Sequence, residues 1–120
     1  SGQFEIAIGK KENQKRYRWI DFLKVINERI LGVTQSEDKQ MGNFFIKTSI
    51  EEQTFKSKVM AYLWHEICKD EYGTPRNFFR FSTNSEETKE KEFTFNNLYE
   101  EESHLLLQGF MTYLGVPAIS

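Results

Sequence analysis

Trp19, Phe22, Leu23, Ile26 and Ile30 recur at i, i+3, i+4, i+7 and i+11, the spacing of one buried face of an α-helix. Asp21, Lys24, Glu28 and Arg29 fall on its polar sides. A second stripe, Phe55, Val59, Tyr62, Leu63 and Ile67, runs through FKSKVMAYLWHEICKDE, and Met60 and Trp64 widen it. Two such stripes must be buried against something, so they dictate the core of any fold the chain adopts. The 11 Phe, 5 Tyr and 2 Trp supply large buried areas, which makes a core attainable in 120 residues although 28% are charged.

The remaining segments are shorter. Phe4 to Ile8 alternates apolar and polar and predicts a strand ending at Gly9. Lys10, Lys11, Lys15, Arg16 and Arg18 follow within nine residues. They read as a solvated turn leading into the first helix, although they also have the charge to touch nucleic-acid phosphates. Gly32 is the predicted stop of that helix. Ser49, with Glu52 three residues on, predicts a capping box for the second helix. Tyr72-Gly73 and Pro75 are its predicted end. Phe78, Phe79 and Phe81 predict a strand that pairs with Glu92-Phe93-Thr94-Phe95 around a polar loop, Asn84 to Glu92. Asn96 or Asn97 is the predicted cap of a last helix, with Glu100, Glu101 and Glu102 in its first turns and Gly115 and Pro117 at its end. The expected class is mainly α, an α-rich α+β fold. It is a helical, lid-like domain of three principal helices with short strands or a small hairpin, and residues 1–120 form a single domain.

Several function classes lack support. A net charge of −2 argues against a polyanion-binding surface spread over the whole molecule. Cys68 is the one cysteine, so the chain holds no internal disulfide and no cysteine zinc cluster. It reads as a small buried hydrophobe in a reducing, cytoplasmic setting. No apolar run approaches the ~18 residues of a membrane span, so no membrane partner is expected. His65 and His104 have no partner at ligand spacing, and HEICK lacks the second histidine of a zincin helix. No metal site and no catalytic residue are expected. Ser1-Gly2 reads as a cloning remnant, and the chain as an excised piece of something longer.

Between the two striped helices lies EDKQMGNFFIK, which has neither helix nor strand period. Its Asp38, Lys39 and Gln40 are candidates for a loop that faces a phosphate or a neighbouring subunit, Lys39 having the charge and reach for a phosphate. Gly42 is expected to supply a backbone angle that a side chain would forbid. Phe44 and Phe45 are expected to anchor the loop on the core rather than to stack on a base.

Taken in order, Trp19-Ile20 to Leu31, EDKQMGNFFIK and FKSKVMAYLWHEICKDE resemble the C-terminal part of the McrB-like branch of AAA+ NTPases. These are the nucleotide-driven motor subunits of methylcytosine-dependent restriction systems. In that family an asparagine-glutamate-arginine-isoleucine helix end leads to an aspartate-basic-glutamine-hydrophobic-glycine loop, an aromatic pair and a long helix. The corresponding residues are Asn27-Glu28-Arg29-Ile30, Asp38-Lys39-Gln40-Met41-Gly42, Phe44-Phe45 and Phe55 to Glu71. The resemblance runs from Phe4 to Glu71. It implies that residues 3–9 are a remnant of the last strand of the nucleotide-binding core, cut from its sheet. Residues 16–72 would be lid helices, and 77–120 a hairpin plus a C-terminal helix. It also implies a parent NTPase using GTP or ATP with Mg²⁺, no cofactor in this chain, and nucleotide sensing by Asp38, Lys39 and Gln40. The implied partners are the protein's own NTPase core, further copies of the parent, a nuclease subunit and DNA. The chain has no G-x-x-x-x-G-K-[ST] phosphate loop and no strand ending in paired acids, so it is not expected to turn over nucleotide alone. The alternative is a stand-alone helical module that binds protein or nucleic acid and has no nucleotide role. A small hydrolase is unsupported, since no Ser, Cys, His and acid set stands at a recognisable spacing.

Overall fold

Ile6 and Ile8 are fully buried and alternate with half-buried Glu5 and Ala7, the period of a strand with one face on the core. This strand, β1 (Glu5–Ile8), is the centre of a sheet in the computed structural model, which describes residues 3–67, 78–82 and 89–119. β2 (Lys15–Arg18) pairs with it antiparallel, Glu5 opposite Arg18 and Ile8 opposite Lys15. β3 (Ile50–Glu51) pairs with it parallel, Ile6 opposite Ile50. The C-terminal chain lies along the outer edge of β2, where the Ile119 N–H donates to the Arg16 carbonyl at 2.7 Å and Tyr17 bridges Ala118.

This three-stranded sheet, with a second two-stranded one, overturns the mainly α expectation: the fold is α+β. Within this sheet β1 has a hydrogen-bonded neighbour on each side. The segment expected to be a basic turn is half strand. Its pattern hid this, since in Lys-Arg-Tyr-Arg only Tyr17 turns inward.

α1 (Trp19–Thr34) buries all five stripe residues, none more than 5% exposed. It runs past Gly32 and ends where Gln35 turns left-handed at φ 56° and donates to the Leu31 carbonyl at 2.8 Å. Gly32 is therefore an interior helix residue, and a Cβ there would meet nothing.

The second helical run has three parts: α2 (Glu52–Thr54), a π-helical segment (Phe55–Met60) and α3 (Ala61–Ile67). Phe55, Val59, Leu63 and Ile67 are all buried and spaced by four. On an ideal α-helix that spacing drifts by about 40° per turn. The wider π segment absorbs drift and turns Lys56 and Met60 inward as well. Ser49 is not the cap of this run. Its hydroxyl accepts from the Glu5 N–H at 2.9 Å, and Glu51 stands at the N-cap without a side-chain bond. Cys68, the Lys69-Asp70-Glu71 tail, Tyr72-Gly73, Pro75 and Asn77 lie outside the described residues.

β4 (Arg80–Ser82) and β5 (Glu90–Glu92) pair antiparallel, Arg80 opposite Glu92, so the second strand lies in the expected loop and shares only Glu92 with the expected strand; residues 83–88 lie outside the described residues. Asn96 and Asn97 do not cap the last helix: they lie inside a 3₁₀ turn, Phe95–Tyr99, whose own capping box is formed by Thr94 and Asn97. α4 (Ser103–Leu114) starts later than predicted, after Glu102 at φ 60°, so Glu100 and Glu101 stand before it. It ends as predicted at Gly115, φ 85°. Gly109 lets α4 approach β4: a Cβ there would stand 2.6 Å from the Ser82 carbonyl oxygen. An aromatic cluster joins these parts, Trp64 stacking on Phe79 at 3.7 Å and Phe93 meeting Phe110 edge-on at 5.4 Å.

Candidate functional site

Asn27 lies near the middle of α1, on the side facing the polar loop. Its amide Nδ2 donates to the Met41 carbonyl and its Oδ1 accepts from the Met41 N–H, both at 2.8 Å. One side chain thus stands in for a neighbouring strand and satisfies both backbone groups of Met41. Gln40 reciprocates, its Nε2 donating to the Asn27 carbonyl at 2.9 Å. The Met41 side chain is buried below this clamp.

Further contacts fix both flanks. Tyr62 Oη donates to the Lys39 carbonyl at 3.0 Å. Burial, and behind it the nearby Glu66 charge, pushes the Tyr62 hydroxyl up, so it remains a donor at neutral pH. Trp19 Nε1 donates to the Asn43 carbonyl at 3.3 Å. Phe45 is half-buried, stacked near Trp19 at 6.4 Å and edge-on to Tyr62 at 5.0 Å, with the Lys58 ammonium 5.4 Å from its ring centre.

The residues singled out from sequence divide by what the structure does with them. Gln40 spends its amide on the clamp. Phe45 packs between Trp19 and Tyr62. Phe44 does not: it is 78% exposed, because Phe45 already fills the space between Trp19 and Tyr62. Gly42 sits at φ −83° and a Cβ there would meet nothing, so the expected need for a special backbone angle is corrected. Asp38 is exposed in a 3₁₀ turn (Glu37–Lys39), and Lys39 is half-buried. Neither has an ion pair among the described residues. What remains is a loop tied at Lys39, Met41 and Asn43, whose Asp38 and Lys39 have no ion pair among the described residues. Asn27 was legible only as a letter of the asparagine-glutamate-arginine-isoleucine run, with no sign that it acts on the loop.

A second polar cluster was missed altogether. Lys56, 7% exposed, places Nζ 3.0 Å from Glu52 Oε2 and 2.5 Å from Ser103 Oγ, and Ser103 Oγ donates to Glu52 Oε2 at 3.0 Å. The Gly9 N–H donates to Glu52 Oε1 at 2.9 Å. Burial alone would raise the Glu52 carboxyl. The hydrogen bonds from Lys56 and Ser103, the Lys56 charge and the Gly9 N–H outweigh it and hold the group below its ordinary value. Ser103 beside a lysine invites a nucleophilic reading, but Lys56 Nζ donates to Ser103 Oγ rather than accepting its proton. The cluster is a structural tie between β1, α2 and α4. The members lie 47 and 51 residues apart in sequence, which no local pattern reveals. Among the described residues no group of three or more His, Cys, Asp or Glu is placed to hold a metal ion, and no described helix is long and apolar enough to cross a membrane.

The chain is similar to component YdiS of the type II restriction enzyme BsuMI of Bacillus subtilis (strain 168), 33% identical over 85 residues. The matched region covers 69% of this chain, and the chain spans only 24% of that protein. No family model matches, and no solved structure matches. The similarity reaches a restriction enzyme component and does not by itself carry the AAA+ part of the resemblance.

Proposed function

We propose that this chain is the lid module of a McrB-like NTPase motor in a DNA restriction system, where it responds to nucleotide bound by other parts of its parent. The observation that carries the reading is the clamped loop. Asn27 and Gln40 hold the backbone, while the charges of Asp38 and Lys39 are left without a partner among the described residues. A pre-organised loop bearing an unspent ammonium suits a γ-phosphate or a neighbouring subunit, and can shift when that phosphate leaves. The likeness to a restriction enzyme component supports the cellular setting. On this reading GTP or ATP with Mg²⁺ is held by the NTPase core of the parent, and copies of the parent assemble with a nuclease subunit on DNA. The module is α+β rather than a helical bundle, its sheet supporting the start of α1 and its two sheets enclosing α4. The test is Lys39→Ala in the full-length gene product. GTP and ATP turnover should fall at least about tenfold, the loss expected when one charge-assisted phosphate contact goes. Unchanged turnover and assembly would remove the loop from any nucleotide mechanism.

A further inference from the structure

We propose that the β1–β2 hairpin and Phe44 form a contact surface for single-stranded nucleic acid, the hairpin cations taking phosphates and Phe44 stacking on a base. Lys10 and Lys11 lie in the connecting turn, and Arg16 and Arg18 share the exposed side of β2, alternating with buried Tyr17. Arg16 pairs with Glu5 at 3.0 Å. Lys10, Lys11 and Arg18 have no ion pair among the described residues, although Glu12 lies in the same turn. Five cations against Glu5 and Glu12 leave this hairpin locally basic in a chain of net charge −2.

The turn is also held stiffly. Gln108, 7% exposed, donates from Nε2 to the Ile8 carbonyl at 2.8 Å and to the Asn13 carbonyl at 2.7 Å. Glu52 holds the Gly9 N–H from the other side. Gly9 at φ 102° and Lys11 at φ 35° are kept in the left-handed region by these ties. A solvated linker needs no buried amide beneath it. A rigid one presents its lysines at fixed positions, on the rim of a cleft of about 510 Å³ whose other side carries the carboxylates of Glu51 and Glu52, so the phosphates are taken on the outer face of Lys10 and Lys11 rather than inside it.

Phe44 enters at the opposite end of the hairpin. Its loop reaches the sheet there, through Trp19 Nε1 on the Asn43 carbonyl and Ser49 Oγ on the Glu5 N–H. The Phe44 ring is 78% exposed, beside a backbone position held by Trp19, and so has a face open to a base. Cations along a hairpin and an exposed ring at its far end are the two features by which proteins hold single strands. Duplex DNA offers phosphates but no free base face, and an acidic protein offers carboxylates but no base.

Fluorescence anisotropy of the purified 120-residue chain with a labelled oligonucleotide of about 20 nucleotides tests this, since such a strand spans more than one single-strand site. Single-stranded DNA should bind more tightly than the matching duplex. The affinity should fall with salt at a log–log slope of about 2, as expected for three phosphates on a single strand. Phe44→Ala should weaken single-strand binding about tenfold and leave duplex binding unchanged. The Lys10→Gln/Lys11→Gln variant should weaken both and lower the slope by about 1.4. Lys91→Gln, on the exposed β5, should change neither. All these side chains are exposed, and thermal midpoints check that each variant folds. Absence of binding at low salt, equal affinity for single strand and duplex with Phe44→Ala silent, or full competition by polyglutamate would each overturn the proposal. The last would hand the surface to an acidic protein.

Discussion

Asn27 is the residue on which the candidate site turns. Its two bonds to Met41 and the return bond from Gln40 tie a loop with no secondary structure of its own to the side of α1. Removing the amide in Asn27→Ala leaves both Met41 backbone groups without partners and should cost about 2–3 kcal/mol, read as a lower denaturant midpoint with unchanged m. Gly42→Ala should be neutral within about 0.5 kcal/mol, because the backbone there is ordinary and the space is open. These two results reverse the order of importance that composition suggests. A glycine beside two aromatics draws the eye, whereas an asparagine inside a helix does not. Sequence could single out Lys39 and Phe45 as candidates because charge and aromatic bulk are visible in the letters. It could not separate Phe44 from Phe45, because which of two adjacent rings enters the core depends on where Trp19 and Tyr62 stand.

At the level of elements, legibility followed the length of the period. The stripe of α1 has five matching positions and was read correctly, whereas β2 has four residues of which one is apolar, and β3 has two residues in all. Strands that short are defined by their neighbours rather than by their own pattern, which is why a three-stranded sheet was missed and the helical class overstated. The end of α1 was misplaced because Gln35 took the left-handed position that Gly32 was expected to fill. The elements are tied by the Glu52, Lys56 and Ser103 cluster, which carries a pH signature. Glu52 is held below its ordinary value of 4.5, so the stabilisation it contributes is fully present above that value. It is lost as the pH falls through the lower folded value, where the carboxyl takes up a proton and Lys56 is left buried without its counter-charge. Thermal midpoints measured downward from pH 6 should therefore drop more steeply in the native chain than in Glu52→Gln. Parallel profiles would show that the cluster contributes nothing to acid stability.

For the whole molecule, one apolar core runs from the sheet through α1 and the helical run to α4. The polar clamps at its margins hold two segments, the Asp38-Lys39-Gln40 loop and the Gly9–Asn13 turn. The frame thus spends buried amides and carboxylates on presenting loops, and the two loops ask for different ligands. The chain spans 24% of the restriction enzyme component it is similar to. The most direct measurement of the central claim is steady-state GTP and ATP hydrolysis by the full-length gene product, native against Lys39→Ala, at matched assembly and thermal midpoint. The account predicts turnover reduced at least about tenfold in the variant, with the fold intact. Equal turnover in the two proteins, or no nucleotide turnover in the native one, would contradict it.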